Sequence, residues 1–171
     1  AGLDPTDWSW LPVFLDVDLD GYEDVLITTG LERSLRDADA RRYLDREKAQ
    51  RRLTAREFQE LRRIMPRLDV PNRAYRNRGD LTFEETSAAW GFDSTLNSQG
   101  MALADLDNDG DLDVVINVLN GPALVFRNES AAPRLAVRLR GNTPNLQGIG
   151  AKVRVTGGPV PQSQEIIAGG R

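Results

Sequence analysis

Two short segments carry the densest chemistry in this chain. They are Asp16-Val17-Asp18-Leu19-Asp20-Gly21-Tyr22-Glu23-Asp24 and Asp105-Leu106-Asp107-Asn108-Asp109-Gly110-Asp111-Leu112-Asp113. Both read D-x-D-x-D-G-x-x-D, and an offset of 89 residues separates them. Carboxylates at alternate positions converge when such a loop curls, and a glycine at the sixth position permits the turn. A hard cation with that appetite is calcium, which takes six to eight oxygens at about 2.3–2.6 Å. The expected side-chain ligands are Asp16, Asp18, Asp20 and Asp24 in one loop and Asp105, Asp107, Asp109 and Asp113 in the other. The backbone carbonyls of Tyr22 and Asp111 are expected to complete the two Ca2+ sites. Magnesium is less suited, because it keeps water and takes fewer protein ligands.

These loops are not EF-hands. That motif needs a bidentate Glu at the twelfth position and helices on both sides. Here the twelfth position is Ile27 in one loop and Ile116 in the other, and both loops run into β-type sequence. A solvated acidic turn explains one such segment more easily than two, each with a ninth-position Asp and an apolar run behind it.

The surrounding sequence supplies the elements that must hold the loops. Short β-branched or aromatic runs at 25–28, 74–76, 82–84, 114–117 and 123–127 are bounded by Gly, Asn and Asp and read as strands. Alternation predicts two more at 135–139 and 152–156. Between the loops lies a charged stretch with helical signals. Thr54-Ala55-Arg56-Glu57 is a capping box, followed by Phe58, Leu61 and Met65 on one face and by Pro66 as a stop. An earlier helix is expected over 38–51 with Tyr43 and Leu44 inward. Its thin apolar face implies that it rests on another surface. Many short strands with regular turn signals predict a mainly β sandwich or propeller.

Composition narrows the chemistry further. The chain has 171 residues with no Cys and no His, which removes disulfides, thiolate chemistry and His-based triads. Only Lys48 and Lys152 among its 22 basic residues are lysines, which reads as arginine-biased codon usage. The net charge of −4 is uneven: residues 31–76 hold 14 basic and 8 acidic side chains, and the acidic excess lies elsewhere. Interleaved acids make the basic stretch a solvated helical face, with no groove-entering motif for nucleic acid. No apolar run approaches the roughly 20 residues that span a bilayer. The opening Ala1-Gly2-Leu3-Asp4-Pro5 has no signal-peptide pattern and reads as a mature or excised piece.

Several smaller features favour structural roles. Trp8, Trp10 and Trp90 are expected in core or inter-repeat packing rather than a sugar platform. Asn77 and Asn128, each after an Arg, are expected to cap turns. Gly148, Gly150, Gly157 and Gly158 lack the ending of a phosphate loop.

The aspartate loops resemble the FG-GAP/VCBS repeats of integrin-α-type β-propellers. Asn72-Arg-Ala-Tyr-Arg-Asn-Arg-Gly-Asp-Leu-Thr-Phe83 is similar to the strand pair of those repeats, and 123–128 resembles its second copy. Gly148-Ile149-Gly150-Ala151-Lys152-Val153 resembles the signature of the ASPIC/UnbV domain. The chain from about residue 8 onward therefore resembles the C-terminal region of a bacterial member of the cartilage-acidic-protein family. That resemblance implies a first FG-GAP/VCBS repeat over 1–30, a helical insertion over 31–71, a second repeat over 72–130 and an incomplete ASPIC/UnbV-like β segment over 131–171. It implies a secreted, extracellular or cell-envelope protein with calcium sites and no catalytic residues. Two repeats cannot close a propeller of about four to eight blades. The expected function is thus a calcium-binding structural or adhesion module for a protein or glycan ligand, without membrane insertion. The alternatives are a subunit of a larger extracellular assembly or filament, completed by self-assembly or the remainder of a longer parent chain, and a calcium-dependent polysaccharide-active enzyme fragment. The last is disfavoured because the aspartates are committed to metal and Glu84 and Glu85, adjacent on a strand, point to opposite faces.

Overall fold

The computed structural model describes residues 2–158 and 160–168. It is mainly β, with three antiparallel sheets and two short helices. Strand β1 (Ser9–Leu15) turns through the first aspartate loop into β2 (Asp24–Thr29). After α1 (Ala38–Gln50) and α2 (Ala55–Arg62) come β3 (Arg73–Asn77) and β4 (Phe83–Glu85). These four strands form one meander in the order β1-β2-β3-β4. Strands β5 (Ser98–Ala104), β6 (Asp113–Val118) and β7 (Leu124–Phe126) form a second, with the other aspartate loop between β5 and β6. A separate hairpin pairs β8 (Lys152–Val155) with β9 (Gln162–Glu165). The described residues form neither a closed barrel nor a closed propeller.

Two sequence expectations change at this level. The strand pair expected to open the second repeat belongs to the first sheet, because β3 pairs with β2 through Val25–Tyr75 and Leu26–Ala74. The helices therefore interrupt one sheet internally. The strand expected over 135–139 does not form: its residues alternate, but no strand among the described residues pairs with them, and Leu135 is 72% exposed. Alternation prepares a strand only where a partner is available.

The two main sheets pack face to face through a shared core of Leu15, Leu26, Ala74, Phe92, Val114, Ile116 and Val118. Phe92 and Phe126 meet with ring centroids 5.2 Å apart. Polar links reinforce the junction: Thr28 Oγ1 donates to the Gln99 carbonyl at 2.6 Å, and Asn72 Nδ2 reaches Ser98 Oγ at 3.0 Å. Gly30 adopts φ +126 where a Cβ would lie 2.8 Å from the Asn97 Cα, so only glycine permits this approach of the two repeats. Trp90 packs on the core as expected. Trp10 is half exposed, yet its indole N–H donates to the Gly30 carbonyl at 2.6 Å. Arg36 lies over the Trp8 ring at 5.8 Å.

The helices form a second, smaller cluster of Ala40, Leu44 and Met65, with Leu35 and Leu61 against it. Helix α1 starts at Asp37, whose side chain accepts from the Ala40 N–H at 2.7 Å. The Thr54–Glu57 capping box is present at α2. Leu44 is buried as expected, but Tyr43 is 45% exposed, because Ala40 and Leu44 at i and i+4 define the narrow face. The excursion closes at its neck through a Leu31–Leu68 bridge and a Ser34 N–H to Pro66 carbonyl bond of 2.8 Å. It thereby leaves and rejoins the sheet without disturbing the β2–β3 register. No helix among the described residues is long and apolar enough to cross a membrane.

Two separate cores should respond separately. Leu26→Ala, at a position 2% exposed in the main core, is expected to cost about 2–5 kcal/mol in denaturant unfolding. Leu44→Ala is expected to open the helical segment to protease while the sheets keep their own transition. A single shared transition shifted equally by both substitutions would contradict this division.

Candidate metal centres

Each aspartate loop is the turn of a β-hairpin, and the register places its ends together. Leu15 pairs with Asp24, and Ala104 pairs with Asp113. The first and ninth aspartates therefore lie side by side at the hairpin end. The fourth and sixth residues are left-handed in both copies: Leu19 at φ 57 and Gly21 at φ 99, Asn108 at φ 61 and Gly110 at φ 93. Two inversions of backbone hand within three residues curl the loop so that its N–H groups point inward. Leucine is poorly suited to that region and asparagine tolerates it, so the first loop carries more backbone strain.

The first-position aspartate organises the curl. Asp16 accepts from the N–H groups of Asp20 at 3.0 Å and Gly21 at 2.9 Å, and Asp105 accepts from Asp109 and Gly110, both at 3.1 Å. Asp20 and Asp109 accept from the residue two further on, Tyr22 at 2.9 Å and Asp111 at 3.2 Å. The ninth aspartate is buried and joins three segments. Asp24 accepts from Val17 N–H at 2.9 Å and Asn77 N–H at 2.8 Å; Asp113 accepts from Leu106 and Asn128 N–H, both at 2.8 Å. Asn77 and Asn128 cap turns as expected, their side-chain oxygens accepting from Gly79 and Ser130 N–H.

The loops bring most of the expected ligands together. Carboxylate oxygens of Asp16, Asp18 and Asp24 lie within 4.8 Å of one another, as do those of Asp105, Asp107 and Asp109. Two oxygens on opposite sides of a calcium ion, each about 2.4 Å from it, are about 4.8 Å apart, so both triads have the right spread. Asp18 Oδ1 is buried and has no hydrogen-bond partner among the described residues. The fit is therefore to a group that needs oxygen donors. Asp20 and Asp113 stand outside these triads. Tyr22 lays its ring over Gly79, and its N–H is held by Asp20.

Sequence reasoning missed three arginines. Arg76 Nε lies 2.6 Å from Asp18 Oδ2, and its Nη2 reaches Asp20 Oδ2 at 3.2 Å. Arg127 Nε lies 2.6 Å from Asp107 Oδ2, in the same relation to the second loop. Arg134 Nη1 reaches Asp111 Oδ2 at 3.0 Å and Asp109 Oδ1 at 3.6 Å. The signal was a repeated aromatic-Arg-Asn triplet, Tyr75-Arg76-Asn77 and Phe126-Arg127-Asn128. The guanidinium forks also differ between the two loops. Arg76 spans Asp18 and Asp20 in the first loop, whereas in the second Arg127 forks toward Glu129 at 3.8 Å and Asp109 is reached by Arg134. The Asp111 side chain, expected to contribute only its carbonyl, buries its carboxylate completely, with Arg134 as its ion-pair partner.

Burial raises the Asp24 carboxyl from 3.8 to about 6, against the lowering effect of its two backbone donors, and Asp18 and Asp20 add repulsion. Asp16 is also raised, first by burial. Burial raises Asp111 as well, while the Asp111 N–H holds Asp109 below its usual value. Burial thus makes the ionised form costly at Asp16 and Asp24 of the first loop and at Asp111 of the second.

A profile of the family described as FG-GAP-like repeat matches residues 66–116, a span from the neck of the helical excursion through β5 into β6 that includes the second aspartate loop. Cartilage acidic protein 1 of Mus musculus is 36% identical over 69 residues, covering 40% of this chain and 11% of that protein. The Homo sapiens protein is 36% identical over 69 residues, and that of Xenopus tropicalis is 39% identical over 57. The matched part is thus about a tenth of these relatives' length, 11% and 10% of the mouse and human proteins.

A pH optimum follows for the cation-free protein. Asp24 titrates at about 6 folded against 3.8 unfolded, so its contribution is fully present below 3.8 and is lost as pH rises through 6. Glu57, lowered to about 2 by its bonds to Thr54 and Arg51, contributes above 4.5 and loses that contribution as pH falls toward 2. In chelator, these two groups place the peak of thermal stability at about pH 4, with a fall toward pH 7.5. A melting temperature that climbs steadily from pH 5 to 7.5 would contradict the burial cost assigned to Asp24.

Proposed function

We propose that this chain is a calcium-stabilised, non-catalytic module of an extracellular, adhesion-type repeat protein. The observation that carries the reading is the paired oxygen triads at calcium spacing, one of which includes the unpartnered Asp18 Oδ1. In this reading Asp16, Asp18 and Asp24 hold one ion and Asp105, Asp107 and Asp109 the other, with Asp20, Asp113 and the Tyr22 and Asp111 carbonyls in reach as the loop adjusts. A bound calcium ion supplies the positive charge that the crowded carboxylates lack. The arginines keep one oxygen of Asp18 and Asp107 engaged and leave the other for the metal. The hairpin ends are then rigid, and the loops beside them present a surface to a protein or glycan ligand.

The match to FG-GAP-like repeats supports an extracellular repeat protein, and the similarity to cartilage acidic protein 1 supports a related context. The two main sheets are read as consecutive blades of a larger propeller, and the β8–β9 region as part of an ASPIC/UnbV-like segment. A second reading, a subunit completed by further chain or by a second copy, is favoured by Val125 on edge strand β7, which is 64% exposed.

Calorimetric titration of chelator-stripped protein is expected to count two calcium sites, with Asp18→Ala and Asp107→Ala each removing one. At calcium 100 times the dissociation constant, each site should add about 2.7 kcal/mol of stability. No heat of binding and no change in melting temperature in millimolar calcium would end this reading.

A further inference from the structure

The two aspartate loops are joined by a continuous path of hydrogen bonds that runs through one residue. Asn128 follows β7, and its N–H donates to Asp113 Oδ1 of the second loop at 2.8 Å. Its side-chain Nδ2 crosses to the first repeat and donates to the Val17 carbonyl at 2.8 Å. The N–H of Val17 in turn donates to Asp24 Oδ2 at 2.9 Å. The path therefore links the ninth aspartate of one loop to the ninth aspartate of the other through a single side chain and one residue. A second strut runs beside it: Ser130 Oγ donates to the Asp18 carbonyl at 3.2 Å, while Ser130 N–H is held by Asn128 Oδ1 at 3.1 Å. Arg127, the residue before Asn128, grips Asp107 at 2.6 Å.

The equivalent residue in the first repeat does something different. Asn77 makes the same backbone bond to Asp24, but its Nδ2 turns back to the Glu23 carbonyl of its own loop at 3.0 Å. Repetition of sequence alone does not produce the crossing. It arises where the end of the second sheet lies over the first loop.

From this we infer that Asn128 is a positioning residue that couples the two loops, so that ordering the second raises the cation affinity of the first. The inference rests on the calcium reading for the ligand. It does not rest on it for the link. Two arrangements of residues 127–130 suffice as a mechanism. When the second loop is ordered, Asp113 and Asp107 fix Asn128 and Arg127, and Asn128 then fixes the Val17–Asp18 backbone from which the first site is built. When the second loop is loose, that backbone loses its external donors. By linkage, the effect is reciprocal in binding free energy.

The test uses the full chain and the amide signals of Gly21 and Gly110, whose N–H groups donate to Asp16 and Asp105 and report on each loop separately. Calcium is titrated into the native chain, Asp107→Asn, Asn128→Ala and the double variant. Asp107→Asn is expected to weaken the Gly21 response about five-fold in the native background and to leave it unchanged in the Asn128→Ala background. Ser130→Ala, which removes the second strut and a local bond from the Ala132 N–H but leaves the Asn128 path intact, should weaken the effect to about two-fold. Two sites that fill independently, or an equal shift in both backgrounds, would overturn the coupling while leaving calcium binding intact. If neither glycine responds to calcium, the metal reading fails and the link is judged in calcium-free protein. Asn128→Ala should then speed amide exchange at Asp20 and Gly21; faster exchange confined to 127–130 would refute it.

Discussion

The structure depends on a buried carboxylate at the end of each hairpin. Asp24 and Asp113 are almost entirely removed from solvent, and both oxygens of each accept backbone N–H groups from two different segments. Hydrogen bonds to a charged acceptor contribute about 1.5–3 kcal/mol each. They must offset the cost of removing the charge from water, which is why Asp24 still titrates high. The consequence is geometric. The loop start and the third strand are pinned to the same side chain, so the hairpin, its turn and the returning strand form one unit. The other loop aspartates are then held near one another.

That arrangement gives arginine a role lysine could not fill. A guanidinium spans two carboxylates with a rigid fork, while an ammonium is a single point charge. Arg76 bridges Asp18 and Asp20 and Arg127 bridges Asp107 and Glu129, while Arg134 reaches Asp109 and Asp111 through Nη1 and donates from Nη2 to the Ser130 carbonyl. Each neutralises part of a loop and still leaves carboxylate oxygens unengaged. The scarcity of lysine, read from composition as codon bias, has a structural counterpart at these three positions. Elsewhere the bias has less meaning: Arg42 and Arg56 make exposed single pairs on the helices of the kind that contribute little.

What was legible in the sequence was local. The aspartate spacing, the capping box at Thr54 and the apolar runs after each loop all act within a few residues, and the structure forms them where the spacing places them. What was not legible was pairing at a distance. Nothing in residues 72–83 says that they return to β2 across the helices, because a strand's partner is set by the packed sheet and not by its own alternation. The same ignorance produced the unformed strand over 135–139. Arg76 was invisible for the same reason: its partners Asp18 and Asp20 lie on the far side of the helical excursion. Tyr43 failed differently, since a face only two residues wide leaves the rotation of the helix poorly specified.

The two repeats share a frame but divide the work unequally. In the first, leucine occupies the left-handed fourth position, and the loop carbonyls at Val17 and Asp18 are held from outside by Asn128 and Ser130. In the second, asparagine suits that position, and Asp111 buries its carboxylate where the first loop has Tyr22 and the exposed Glu23, with Arg134 from the segment that follows as its counter-charge. The more strained loop is therefore the one that is externally braced, and the loop that buries an additional carboxylate is the one that carries the extra cation. Each copy has a compensation matched to its own defect. Both compensations come from the same few residues after β7, between Asn128 and Arg134. A segment with no regular secondary structure thus sets the conformation of both loops, and the core beneath it only has to keep the two sheets in register.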